Sequence, residues 1–520
     1  MSIHKSVAKS ASVIGFATLC SRILGFIRDI VIARLFGVYV YAQAFVIAFK
    51  IPNLFRDFFG EGAANAAFVP VFSEYAAKKS KEEFWELANV VLNLLLISLS
   101  VIVVLGVIFS PLIVRLIAPG FIADPEKLAL TIKLNRIIFP YCLLICLAAY
   151  SMAILNSLRH FSVPAFAPCL LNISIIVFAL MFGESIKGLS LGVLVGGFLQ
   201  LLIQVPVLYK KGFRLQFFKK FRHPAAKQIG KLMMPRLLSS SIYQLNNFVD
   251  TIFGSLAAIV GEGGVAGLYF AYRLILFPLG IFSNSLSQVL LPTFSTQALE
   301  DNYEKLRLSL SFGLRATFFI ILPASVGFMV LSRPLVAIIF QGGKFDAFSA
   351  MVTADVLFYY SIGLVAYAAT RIIQACFFAL KDTVTPTKIA VLTLVMNVGL
   401  NAVLMFPMKL SGIALATSIS GTVTCLVLFS ILKKRIALHY TPEIYGAFLK
   451  IFAASLSMGA VCFVLSRKFS AFAVHGWLKF IYLGGLILAG IISYALFCFI
   501  FRVNEIKQLW GWVYNRRKVL

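Results

Sequence analysis

The chain has 520 residues, 60% of them hydrophobic and 13% charged, with a mean hydropathy of +0.94 and a formal net charge of +27. That balance excludes a soluble globular protein, which needs a charged surface around a smaller apolar core, and predicts an all-α polytopic membrane protein. The positive charge is no nucleic-acid signature, because no folded reader with a basic and aromatic surface accompanies it, and no nucleic-acid partner is expected.

Apolar windows of about 20 residues, long enough for a ~30 Å hydrocarbon core, fall at 8–36, 41–70, 89–118, 132–156, 163–182, 188–209, 228–260, 264–296, 311–332, 348–379, 386–406, 411–432, 444–466 and 477–501. They predict about 14 transmembrane helices. The first window is too long and too charged for a cleaved signal peptide and is expected to remain in the mature protein. It carries Arg22, Arg28, Asp29 and Arg34, and the crowding of charge around Gly25 argues against one straight lipid-facing helix. The second carries Lys50, Arg56, Asp57 and Glu61, with Pro52 expected to kink it. On a regular helix Lys50, Asn53 and Asp57 share a face, and Asp57 meets Glu61 one turn on. A charge at the bilayer centre costs about 2.5 to 3.5 kcal/mol even on the lenient insertion scale. These groups must therefore face water, each other or a polar ligand, and five cations against three acids favour an anion.

Further along, Asp250 lies in the seventh window, Arg273 in the eighth, in AYRLILFP, and Arg371 in the tenth, in ATRIIQ. Asn397 and Asn401 stand one turn apart in the eleventh and Thr417 in the twelfth. Arginine forks take phosphate oxygens bidentately, which suits a diphosphate. Asp250, Asn397, Asn401 and Thr417 offer the oxygens of a sodium site, or of proton coupling, although interhelical hydrogen bonding explains the amides equally well. The eight cysteines all fall inside apolar windows and the five histidines in loops or at helix ends, so no disulfide, metal framework or other cofactor is expected.

An even number of spans puts both termini on one side, and the Lys/Arg bias makes that side cytoplasmic. Lys78, Lys79 and Lys81, the run from Lys210 to Lys231, Lys433 to Arg435 and the tail Arg516 to Lys518 all fall there. The same bias explains most of the net charge and favours anionic phospholipid at the inner surface.

The halves repeat. VPVFSEYAA at 69–77 matches LPTFSTQAL at 291–299, and LRHFSVP at 158–164 matches LKDTVTP at 380–386, both at an offset of 222. Pro111-Leu112 matches Pro334-Leu335, and Gly188, Leu191 and Gly197 match Gly412, Leu415 and Gly421. The unit is six helices, so the copies share one orientation and are related by a pseudo-twofold axis along the membrane normal. The predicted organisation is an N-terminal lobe at 1–209, a basic cytoplasmic linker at 210–227, a C-terminal lobe at 228–435, and two further helices with a basic tail at 436–520. Two such lobes around a central cavity make a transporter, with Arg273 completing the cations of the first lobe.

The segments SRILGFIRD at 21–29, AFKIPNLFRDFFGEGA at 48–63, AFVPVFSEY at 67–75, FSVPAFAPCLLNIS at 161–174 and YRLILFPLG carry a resemblance that covers the whole chain. They resemble the MurJ (MviN) family of bacterial lipid II flippases, within the multidrug/oligosaccharidyl-lipid/polysaccharide exporter superfamily. The resemblance implies a V-shaped, two-lobed flippase of the bacterial inner membrane whose cationic cavity takes the diphosphate and sugar-peptide head of lipid II. It implies that Arg22, Arg28, Arg56 and Arg273 are the cavity arginines, that Asp29 and Glu61 belong to the site or its gate, and that helices 13 and 14 hold the polyprenyl tail. Lys50 joins the substrate-binding set from its position in the window. A monomer is expected, with cell-wall synthesis proteins as candidate partners and the membrane potential as a driving force. Two departures stand out: Gln43 and Leu276 replace acids found in some relatives, which makes this cavity more cationic. The competing readings are an exporter of another polyprenyl-linked glycan and a membrane glycosyltransferase, whose catalytic acid would have to be Asp124 or Glu126.

Overall fold

The structure is a computed structural model that describes residues 3–57, 67–217, 222–300, 303–438, 441–468, 476 and 478–506. Among the described residues the only β-pairing is an isolated bridge between Gly342 and Phe345, and everything else of regular structure is helical. This is what hydrocarbon demands, since a helix satisfies its backbone within one segment. The chain forms two compact units, residues 1–258 and 259–520.

The first unit contains α1 (Ile3–Phe36), α2 (Val40–Arg56), α3 (Val69–Lys78), α4 (Lys81–Ile108), α5 (Ser110–Ile117), α6 (Pro125–Ile138), α7 (Tyr141–Ser157), α8 (Ser162–Phe182), α9 (Ile186–Leu202), α10 (Val205–Lys210) and α11 (Pro224–Gly254). A short α12 (Ala257–Val260) crosses the boundary. The second unit contains α13 (Gly264–Pro278), a π-helical turn at Leu279–Ser283, α14 (Asn284–Gln297), α15 (Glu304–Phe340), α16 (Ala347–Ile362), α17 (Leu364–Ala379), α18 (Val384–Arg435), α19 (Thr441–Lys468) and α20 (Leu478–Ile500).

Every predicted window is met by one of these helices or by a consecutive pair. The eleventh and twelfth windows lie within α18, which is broken at Lys409, where φ is 52°. Against expectation, α1 runs unbroken through Gly25. The helix α11, grouped by sequence with the second lobe, packs instead on α4, α5 and the 3-10 turn at Pro119–Ala123 and falls within the first compact unit. By length and apolarity alone, nine helices among the described residues can cross a membrane, or ten if α16 and α17 form one bent span. The three remaining windows correspond to α1, α2 and α11, the helices that carry most of the membrane-depth charge.

Local chemistry explains the ends. Ser80 Oγ accepts from Glu83 N at 3.2 Å, Asp124 Oδ1 from Lys127 N at 3.0 Å and Asp346 Oδ1 from Ser349 N at 2.8 Å, each satisfying an orphan donor at a helix start. Asp124 is thereby given a structural task.

The duplication reappears as the same internal contact made in each unit. A Cβ on Gly188 would meet Phe178 O at 2.7 Å, and one on Gly412 would run into Leu404 O. A Cβ on Gly197 would stand 2.5 Å from the Tyr141 ring, and one on Gly421 closer still to the Tyr367 ring. Small residues let helix backbones approach where no hydrophobic effect drives them together.

Candidate functional site

The helix α1 delivers Arg28 and Asp29 into the contact it makes with α8. Both are buried, at 5% and 2% exposure. Arg28 donates from Nη2 and Nε to Asp29 Oδ1 at 2.8 and 3.1 Å, and from Nη1 to Asn172 Oδ1 at 3.0 Å. Asn172 in turn donates from Nδ2 to Ser21 O at 3.1 Å. A buried guanidinium survives at this depth because a carboxylate neutralises it and an amide takes a further donor. Arg22 and Arg34, on the same helix, are exposed.

A second group gathers between α2 and α11. Lys50 donates from Nζ to Thr251 Oγ1 and lies 5.0 Å from the centre of the Phe248 ring. Asp250, 9% exposed, acts on the same ammonium as the opposite charge. Six residues on, Arg56 pairs through Nη2 with Asp57 Oδ1 at 3.0 Å, and Gln244 Nε2 donates to Asp57 Oδ2 at 3.0 Å. The Arg56 side chain keeps 44% of its surface exposed, unlike Arg28. The Oδ1 atoms of Asn53 and Asn246 and the Tyr141 hydroxyl, on α2, α11 and α7, are buried without a hydrogen-bond partner. Glu61 lies outside the described residues.

At the other end of α2, Gln43 accepts from Lys127 Nζ at 3.2 Å, and Lys127 sits 4.1 Å from the Phe121 ring centre. Here a neutral amide faces a buried lysine.

In the second unit, Arg273 donates from Nη2 to Tyr269 OH at 3.0 Å, with its guanidinium 4.9 Å from that ring. Arg371 is half-buried on α17. Asn397 donates from Nδ2 to Thr417 Oγ1 at 3.1 Å, Asn401 donates to Asn397 Oδ1 at 3.0 Å, and Thr417 donates to Ile413 O at 3.1 Å. These three come together as a chain of hydrogen bonds between the halves of α18. Asp250 belongs to the first unit, beside Lys50.

The residues missed by sequence reading are the neutral partners: Asn172, Gln244, Phe248, Thr251 and Tyr269.

The family profile described as "Lipid II flippase MurJ" matches residues 32–483. The chain is 37% identical over 468 residues to the "Probable lipid II flippase MurJ" of Buchnera aphidicola subsp. Acyrthosiphon pisum, covering 89% of this chain and 90% of that one. It is 32% identical over 458 residues to the "Lipid II flippase MurJ" of Burkholderia cenocepacia, covering 86% and 88%. Among solved structures, "Lipid II flippase MurJ, inward closed conformation" superposes with a TM-score of 0.79 at 30% identity over 95% of this chain and 99% of that one. An inward-facing multidrug transporter of the MATE family shares the fold, with a TM-score of 0.64 at 20% identity over 81% and 96%.

Proposed function

The chain belongs to the lipid II flippase MurJ family, and from that membership we propose that it moves lipid II from the cytoplasmic to the outer leaflet of a bacterial inner membrane. The reaction is transport, in which no bond is broken. The observation that carries the reading is the match at 30% identity across 95% of the chain to a solved lipid II flippase. The chemistry of the charged helices supports the substrate: an excess of cations at membrane depth suits a diphosphate, and a drug-cation exporter would need acids there. In this reading Arg22, Lys50, Arg56 and Arg273 engage the diphosphate, while the Arg28–Asp29 pair holds α1 on α8. Both termini face the cytoplasm, following the Lys/Arg bias. The two repeats expose the site alternately to each side, and the membrane potential drives the loaded step.

The test is reconstitution in vesicles with lipid II, scoring arrival of the headgroup at the far face with an impermeant reagent. Arg56→Ala and Arg273→Ala should each slow arrival at least about tenfold, since each removes a charge-assisted phosphate contact of roughly 1.5–3 kcal/mol. Undiminished transport by both variants, at equal incorporation, would sink the assignment of the diphosphate to these arginines. No transport by the unaltered protein would sink the function itself.

A further inference from the structure

The segment after α10 is not a slack connector. The chain turns at Gly212, whose φ is 108° and whose Cβ would stand 3.1 Å from Trp85 Nε1, and then lies extended along α4. Phe213 is buried against Trp85, ring centres 5.6 Å apart. Two asparagines on α4 then bind the backbone as a neighbouring strand would. Asn89 Oδ1 accepts from Gln216 N at 2.8 Å and its Nδ2 donates to Arg214 O at 3.0 Å, while Asn93 Nδ2 donates to Gln216 O at 3.1 Å. The asparagines are 6% and 1% exposed. Placing two buried amides on a membrane-spanning helix is unfavourable unless their partners are held there, so the strap has a defined conformation.

What the strap turns outward is unusual for a water-exposed loop. Tyr209, Leu215 and Phe217 are 42%, 38% and 58% exposed, and Lys210, Lys211 and Arg214 are exposed beside them. Arg214 is positioned rather than free to swing: its Nη1 donates to Tyr209 O and Phe213 O at 3.1 and 3.0 Å, and its guanidinium lies 5.8 Å from the Tyr209 ring. That leaves Nε and Nη2 as donors for an outside acceptor. The stretch from Tyr209 to Phe217 contains no acid. The adjoining turn between α3 and α4 does not supply the charge, since Lys78, Lys79 and Lys81 are matched there by Glu74, Glu82 and Glu83, with Lys78–Glu74 and Lys79–Glu83 paired at 3.0 and 3.3 Å. Aromatic rings and cations together, at the end of a membrane-spanning helix, mark the headgroup level of a bilayer.

We propose that the Tyr209–Phe217 strap is a binding site for the phosphate headgroup of an anionic phospholipid in the leaflet where α4 begins. Leu215 and Phe217 enter the acyl boundary, Lys210, Lys211 and Arg214 take the phosphate, and Asn89 and Asn93 hold the backbone so that the three cations converge. Each cation near an anionic membrane surface contributes about a fivefold preference, so three give a selectivity well above tenfold over a zwitterionic lipid.

Trp85 reports on the site. In full-length protein carrying Trp477→Phe, Trp510→Phe and Trp512→Phe, its fluorescence is measured in vesicles containing a minor fraction of brominated phosphatidylglycerol or brominated phosphatidylcholine. Half-maximal quenching should need at least about tenfold less of the brominated phosphatidylglycerol. Lys210→Gln, Lys211→Gln and Arg214→Gln together should bring that ratio below about twofold. Asn89→Leu with Asn93→Leu, which keeps every charge, should also reduce it. Equal quenching by the two lipids in the unaltered strap would overturn the proposal. A ratio that survives loss of both asparagines would overturn the built site in favour of diffuse surface charge.

Discussion

Arg28 shows how one residue can carry two readings that only its neighbours separate. With Asp29 and Asn172 taking its donors, it is a buried ion pair with an amide support, and such a pair is costly to break from one side. Asp29→Ala leaves a buried guanidinium uncompensated and should cost about 3–5 kcal/mol. Asn172→Ala removes the bonds to Arg28 and to Ser21 O but leaves the ion pair in place, and should cost about 1–3 kcal/mol. Thermal unfolding in detergent should rank the two variants in that order. The double variant Arg28→Met, Asp29→Leu removes both charges, and transport retained at more than half the normal rate would show that the pair serves packing. Loss of transport in a stably folded double variant would return Arg28 to the diphosphate. The Arg56 side chain keeps 44% of its surface exposed, which makes it the cleaner probe of substrate binding.

At the scale of helices, the repeated glycines explain why the two units pack alike. Gly197 and Gly421 each sit against a tyrosine ring closer than a methyl group allows, so an added methyl forces the ring off its rotamer. Gly197→Ala and Gly421→Ala should each lower stability by roughly 1–3 kcal/mol. Adding Tyr367→Leu to Gly421→Ala should recover part of the loss, a coupling that a double-mutant cycle measures. If Gly421→Ala unfolds at the same temperature as the unaltered protein, the close approach is not real. These contacts were half legible beforehand. Gly188, Leu191, Gly197 and their matches revealed the duplication, but which rings they face depends on helices far away in sequence. The window at 89–118 located α4 without its first eight residues, and the unbroken course of α1 through Gly25 was not legible either. There a Cβ on Gly25 would stand 3.6 Å from Asn172, an ordinary contact, so α1 neither bends at this glycine nor packs too tightly for a side chain.

For the molecule as a whole, the proposed role of the membrane potential rests on charge. A diphosphate carries about two negative charges, each worth roughly 2.3 kcal/mol per 100 mV, so an inside-negative potential favours outward movement by about 4–5 kcal/mol at 100 mV. Any site cations that move with the protein cross the field once each way, so over a full cycle of the proposed mechanism only the substrate's charge counts. Initial rates of lipid II arrival in vesicles should therefore rise at least severalfold when an inside-negative potential is imposed and fall when it is collapsed. Rates indifferent to the potential would separate substrate charge from the energetics of transport.

The sequence by itself determined the class, the approximate number of spans, the duplication and the charge carried by the apolar segments. Hydrophobic length, repeat offset and uncompensated charge are properties of the chain that survive whatever the helices pack against. The tertiary structure alone decided which charges are spent on packing, because a cation's role depends on what stands within hydrogen-bond reach. It gave Arg28 to Asp29 and Asn172, Lys50 to Thr251 on α11, and Asn397 to Thr417. It also put α11 with the first compact unit and fastened residues 213–216 to α4 through Asn89 and Asn93. None of these pairings has a sequence period, since each joins segments that only folding brings into contact.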